Sequence, residues 1–141
     1  MISALIDTNV IIDAVRPELP GHAAAARVLA EQSAAGRLLV NEIVYSELAP
    51  QVASMTDLDE LLDLIDVRIE GFTLMAAYRA GSAHAQYRRT GGVRERTLPD
   101  FLIGAHAECA GYRLVTRDAR RYRIYFPGLD IVVPGDDPKP Q

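Results

Sequence analysis

Only one cysteine, Cys109, occurs in the 141 residues. No disulfide can form within the chain, which fits a reducing compartment. No apolar run approaches the ~20 residues needed to span a bilayer. The apolar start, residues 2–15, is broken by Asp7, Asn9 and Asp13 and has no basic leader, so it does not read as a secretory signal. A cytoplasmic location with no membrane contact is expected. Histidine is sparse: His22, His84 and His106 lack metal-motif spacing, and neither H-E-x-x-H nor C-x-x-C occurs. Zinc is therefore not expected. Lysine is almost missing, Lys139 in the tail being the only one.

What is present describes a globular chain. Hydrophobic residues make up 49%, ordinary for a folded domain with a core. The net charge of -4 argues against a general nucleic-acid binder, but the charge is unevenly placed. Residues 1–78 carry twelve acids and four bases, whereas residues 79–123 carry ten arginines and four acids. A basic second half inside an acidic chain is either a phosphate-contacting surface or a solvated arginine face.

Short apolar runs alternate with helical periodicity. Strands are predicted at Ile2–Ile6, Leu38–Val40, Val67–Ile69, Arg113–Thr116 and Ile131–Val133. Helices are predicted from Asn9 or Thr8 to about Pro17, over His22–Ala35, and from Asn41 to about Val52. Further helices follow over Leu58–Ile65 (opened by Thr56 and Asp57), Leu74–Arg89, and Thr97–Cys109. Gly36 and Gly111 stand as helix stops. The alternation predicts an α/β fold with a parallel sheet covered by helices on both faces. One domain over residues 1–133 is expected, with a flexible tail over 134–141. Residues 91–96, Gly-Gly-Val-Arg-Glu-Arg, form the best candidate for a mobile loop.

Four acids sit at or near strand-to-helix junctions: Asp7, Glu47, Asp100 and Asp118. Each has a plain structural reading. Asp7 and Asp118 can cap the turns that follow, and Asp100 stands three residues after Thr97 at capping-box spacing. Glu47 lies on the stripe of Ile43, Val44, Leu48 and Val52, where an acid needs a partner. Its partner is a metal or one of the arginines. In an open parallel sheet the carboxyl ends of the strands line one edge, where ligands bind. Gathered there, four carboxylates repel each other unless a cation or a proton neutralises them. Hard divalent cations on oxygen ligands are the usual answer. Asn9 and Thr116 can add an amide and a hydroxyl to the same pocket.

Four local patterns then resemble one family, the PIN-domain ribonucleases, and within it the VapC-type toxins of toxin–antitoxin pairs. They are Leu5-Ile6-Asp7-Thr8-Asn9-Val10, Tyr45-Ser46-Glu47-Leu48, Leu98-Pro99-Asp100-Phe101-Leu102-Ile103, and Thr116-Arg117-Asp118 with Tyr122 four residues on. The resemblance covers nearly the whole chain. It implies a PIN-like three-layer sandwich, a central mostly parallel sheet flanked by helices. It also implies Asp7, Glu47, Asp100 and Asp118 as catalytic residues and metal ligands for Mg²⁺ or Mn²⁺, with Asn9 and Thr116 in support. RNA is the implied substrate, a small antitoxin the implied partner, and a homodimer the implied assembly. Gly104 departs from the pattern, since a small alanine is common there; close helix packing would account for it.

On this reading, carboxylate-held metal activates a water and relieves charge on the phosphodiester. Arg88, Arg89, Arg94 and Arg96 flank the loop before Asp100, and Arg117, Arg120 and Arg121 flank Asp118. All seven are candidate phosphate contacts. Tyr87 and Tyr122 can either stack on bases or pack in the core. Ile11, Ile12, Val15 and Leu48 either accept an antitoxin helix or belong to the core. His106 reads as an ordinary helix residue. A haloacid-dehalogenase-type phosphatase would want aspartate at position 9, where Asn9 stands. A phospho-receiver domain would want a lysine near the last strand end, and Lys139 is too far on. The remaining alternative is a catalytically idle PIN-fold module that works through protein or RNA contacts.

Overall fold

A computed structural model describes residues 1–91 and 97–135. Five short strands form one sheet: β1 (Ala4–Ile6), β2 (Leu38–Val40), β3 (Val67–Ile69), β4 (Arg113–Val115) and β5 (Ile131–Val132), in the order β3-β2-β1-β4-β5. Every neighbouring pair is parallel. Ala4, Leu5 and Ile6 of β1 and Leu38, Leu39 and Val40 of β2 are all buried. That is why these strands read as unbroken apolar triplets rather than as an alternation: helices cover both faces of a parallel sheet. Leu5 is the centre of the register, opposite Leu39 on one side and Leu114 on the other.

The helices are α1 (Thr8–Val15), α2 (His22–Ala35), α3 (Glu42–Leu48), α4 (Met55–Leu64), α5 (Leu74–Arg89), α6 (Leu98–Ala110) and α7 (Arg120–Arg123). The chain steps from β1 to β2 to β3 in one direction, then returns across the sheet to β4. Right-handed crossovers place the helices of the first two steps on one face and α5 and α6 on the other. The strongest helix pairs, α1 on α2 and α5 on α6, agree with this three-layer arrangement. Among the described residues no helix is long and apolar enough to cross a membrane.

Local departures from the predicted elements have local causes. Asp7, rather than Thr8 or Asn9, caps α1 by accepting the Thr8 N–H at 2.8 Å. β1 starts at Ala4, although the Ile2 N–H still bonds the Ala35 carbonyl at 3.0 Å. α3 stops at Leu48, and a 3₁₀ turn over Ala49–Gln51 follows, with Pro50 in its first positions; proline suits a helix start and not an interior. Ser54, not Thr56 or Asp57, caps α4 by accepting the Asp57 N–H at 3.1 Å. Gly111 ends α6 at φ 72°, the left-handed conformation predicted for a helix stop.

The core settles several open readings. Ile11 and Leu48 are fully buried, while Ile12 and Val15 are half-buried, so half of the suggested antitoxin surface is core. Tyr87 packs against Phe101 and edge-on to Tyr125, each with centroids 5.7 Å apart. Tyr122 is wholly buried. Neither tyrosine is placed to stack on bases. Gly104 faces the rings of Phe126 and Tyr122. A Cβ added there would lie 2.5 Å from Phe126 Cε2 and 3.0 Å from Tyr122 Cδ1. The suggested close packing is therefore present, between α6 and the segment after β4.

His106 is more than an ordinary helix residue. It is buried, with Nδ1 3.2 Å from Asn41 Nδ2 and Nε2 3.4 Å from Glu70 Oε2. Tyr112 donates its hydroxyl to Glu70 Oε1 at 3.0 Å. Asn41 in turn accepts the Ile43 and Val44 N–H groups and so caps α3. The loop predicted at residues 91–96 is described only at Gly91, and the tail only at Pro134 and Gly135; the rest of both, with Arg94, Arg96 and Lys139, lies outside the described residues.

Candidate active site

β1 lies where the strand order reverses, between β2 and β4. In sheets of this kind that switch point opens a crevice at the carboxyl ends of the strands. Asp7 is the first residue past β1, and its side chain sits in a cradle of donors. Oδ1 accepts the Thr8 N–H at 2.8 Å; Oδ2 accepts Thr116 Oγ1–H at 2.7 Å and the Tyr122 hydroxyl at 2.9 Å. The carboxyl is nearly closed to solvent. Burial raises its pKa above the ordinary carboxylate value; the three hydrogen bonds oppose the rise, and the charge of Asp100 adds to it.

Asp7 shares a cleft of about 380 Å³ with Thr8, Asn9, Asp13, Glu47, Asp100, Arg117 and Arg121, among others. Asp100 comes from the first turn of α6. Its Oδ2 accepts the Thr97 N–H at 3.2 Å, closing the capping box, while Oδ1 lies 3.3 Å from Arg121 Nη1. The cap and the cleft thus use different oxygens of one carboxylate, and the two sequence readings of Asp100 are compatible.

Glu47 is an exposed residue at the cleft's rim and not a buried one. α3 ends one residue later, so the stripe that carries Val44 and Leu48 inward leaves Glu47 at its margin. Its Oε1 accepts Thr8 Oγ1–H at 2.8 Å. Partial loss of hydration raises its pKa; the Thr8 bond opposes this, the charges of Asp7 and Asp100 add to it, and Arg121 opposes it. The charge of Asp100 thus acts on both Asp7 and Glu47.

Asp118 does not line the cleft. Its carboxylate turns to Arg121 Nε at 2.9 Å, and its own N–H bonds Thr116 Oγ1 at 3.1 Å. Arg121 therefore bridges Asp118 and Asp100. Asn9 lines the cleft, and its Oδ1 accepts the Arg117 N–H at 3.3 Å. Thr116 is wholly buried beneath Asp7. Of the seven candidate arginines, Arg117 and Arg121 line the cleft; Arg88, Arg89 and Arg120 are exposed elsewhere.

Two contributors were not legible as such. Asp13 is 4% exposed, lines the cleft and pairs with Arg117, Nε to Oδ2, at 3.3 Å. Its signal is faint: a polar residue one turn after Asn9 on an otherwise apolar helix. Tyr122 acts through its hydroxyl on Asp7, where its ring alone suggested packing or stacking. Among the described residues, no three acidic, histidine or cysteine side chains converge tightly enough to enclose one ion.

A PIN domain profile matches residues 4–127. The chain belongs to the PIN domain family, whose members are in general nucleases. No curated protein matches it in sequence. Among solved structures, VapBC-1 from nontypeable Haemophilus influenzae is similar with TM-score 0.70 and 18% identity, covering 93% of this chain and 97% of that one. VapBC2 from Rickettsia felis, bound to a DNA fragment from its promoter, is similar with TM-score 0.67 and 18% identity, covering 93% and 98%. A toxin–antitoxin complex from Klebsiella pneumoniae is similar with TM-score 0.62 and 22% identity, covering 92% and 95%. At these identities the likeness is one of fold.

Proposed function

We propose that this chain is the toxin of a toxin–antitoxin pair, a Mg²⁺- or Mn²⁺-dependent endoribonuclease. The observation that carries the reading is the cleft at the switch point, where Asp7, Glu47 and Asp100 meet and the pKa values of Asp7 and Glu47 are raised, in part by the charges around them. The donor set fits such an ion. It is all oxygen, and Mg²⁺ keeps several waters while using one or two carboxylates, so a closed cage of three acids is not required. Asp7, Glu47 and Asp100 would hold it, and Asp118 would act from outside through Arg121 or a water. When bound, the ion supplies positive charge against the phosphate and acidity to a water.

The chain's own residues do the rest. Thr8, Thr116 and Tyr122 fix Asp7 so that both its oxygens keep a set direction. Thr97 fixes one oxygen of Asp100, and the other faces the cleft beside Arg121. Arg117 offers charge to the phosphodiester, while Arg121 is paired with Asp100 and Asp118. A cognate small antitoxin, a homodimer and a cytoplasmic location complete the proposal, supported by relatives of this fold that come from VapBC systems and from a toxin–antitoxin complex. The target, whether transfer, ribosomal or messenger RNA, is one whose shape the cleft admits.

One observation favours the competing reading of an idle module: Arg121 already neutralises Asp100 and Asp118. The test is cleavage of total cellular RNA by the purified chain with Mn²⁺, beside EDTA and Asp100→Asn. Discrete fragments that vanish in both controls are expected. Fragments that persist in the variant, or intact RNA with wild-type protein that also fails to bind Mn²⁺ in calorimetry, would leave the idle module standing.

A further inference from the structure

The two arginines of the cleft are held in different ways. Arg121 spends its guanidinium on Asp118 and Asp100. Arg117 spends one nitrogen only, Nε, 3.3 Å from Asp13 Oδ2. Its backbone N–H is gripped as well, by Asn9 Oδ1 at 3.3 Å. Both grips come from α1, and Asn9 and Asp13 stand one turn apart on the same face of that helix.

Asp13 is a committed anchor. Its side chain is 5% exposed, and Gly21 lies directly on it: a Cβ there would fall 2.3 Å from Asp13 Oδ2. Arg117 is the one cation paired with it among the described residues. A buried carboxylate without its cation is strongly destabilising, so the pair holds the arginine in place. The outer end of Arg117 is left over. Its two Nη groups carry four N–H donors with no partner among the described residues. The side chain is 55% exposed on the cleft that also holds Asp7, Glu47 and Asp100.

We propose that Arg117 is an anion-binding arm, clamped by Asn9 and Asp13, which takes a phosphate oxygen of an RNA strand entering the cleft. Asp13 is then a positioning residue that never touches the strand. The inference rests on the nuclease reading above and sharpens it. It separates Arg117 from the exposed arginines outside the cleft, Arg88, Arg89 and Arg120, which add charge without direction, and a guanidinium fork held at its base is suited to phosphate geometry.

The test is fluorescence anisotropy of a labelled single-stranded RNA 12-mer with the full chain in EDTA, which silences metal chemistry and keeps this result separate from the cleavage assay. Arg117→Gln should weaken binding about tenfold, the loss of one charge-assisted contact, and flatten the salt dependence by about 0.7 in log–log slope. Asp13→Asn decides the matter by sign. It removes a negative charge beside the strand, so simple charge attraction requires tighter binding; the clamp requires weaker binding, because the arm is no longer aimed. The double variant should bind no worse than Arg117→Gln alone. Should Asp13→Asn unfold, Arg117→Lys serves in its place: charge is kept and the fork is lost, and binding must fall. Tighter binding by Asp13→Asn, wild-type binding by Arg117→Lys, or a wild-type chain that holds no RNA in EDTA overturns the proposal, and the metal-dependent reading then rests on its own assay.

Discussion

Replacing Gly104 by alanine should destabilise this protein, against the rule for helix interiors. By propensity alone the exchange gains about 1 kcal/mol. Here the new Cβ would lie 2.5 and 2.6 Å from two carbons of the Phe126 ring and 3.0 Å from Tyr122 Cδ1. Neither ring is free to yield. Both are essentially buried, Phe126 packs on Phe101 with centroids 6.1 Å apart, and the Arg79 guanidinium carbon lies over the Phe126 ring, 5.0 Å from its centroid. Overpacking a tight core costs about 1–3 kcal/mol, and the immobility of both rings argues for the upper end. The net loss is about 2 kcal/mol, a fall in Tm of about 6 °C for a domain of this size. Gly81 in α5 is the internal control, since nothing lies within 4 Å of a Cβ built there; Gly81→Ala should gain about 1 kcal/mol. Scanning calorimetry of both variants reads the difference directly. A Gly104→Ala protein as stable as wild type, or more so, would refute the packing argument and leave no physical account of this glycine.

Two further predictions concern Asp7. Its pKa is raised in the folded state, chiefly by burial, so its contribution favours folding below the ordinary carboxylate pKa and is lost as pH rises through the folded value. Asp7→Asn, which cannot ionise, should therefore gain stability relative to wild type as pH climbs from about 4 to about 7. Urea unfolding at a series of pH values would show it, and a constant difference would contradict it. Added Mg²⁺ should shrink that gain, because an ion that binds only the folded wild type stabilises it. Tyr122→Phe removes a donor 2.9 Å from Asp7 Oδ2; a loss of about 1–3 kcal/mol is expected, with weaker Mn²⁺ binding by calorimetry, and unchanged values for both would remove the hydroxyl from the site.

Much of the fold was legible because its strands are short, apolar and closely punctuated. Leu38-Leu39-Val40 between Gly36 and Asn41 leaves little room for another reading, and the alternation with helices demands a parallel sheet. Asp7 was legible for the same reason: a lone acid that ends a buried strand. What failed were inferences from spacing to direction. Glu47 shares the stripe of Val44 and Leu48, yet α3 ends at Leu48, and its side chain reaches the rim and not the core. Asp118 follows its strand as Asp7 does, yet an arginine three residues on draws it sideways. Asp13 carries no more signal in the sequence than an interruption of the apolar start, and only the tertiary position of Gly21 and Arg117 shows that it is enclosed.

The buried bond between Asn41 and His106 carries a consequence about hydrogen positions. Asn41 Oδ1 is committed to the N–H groups of Ile43 and Val44, which fixes the amide's orientation and turns its NH₂ toward the imidazole. His106 Nδ1 must then be the acceptor, so the ring's proton resides on Nε2 and is given to Glu70. The tautomer of a histidine on α6 is thus dictated by the cap of α3. Since α6 carries Asp100 and α3 carries Glu47, a directed, proton-specific link ties together the two helices that bring these carboxylates to the cleft.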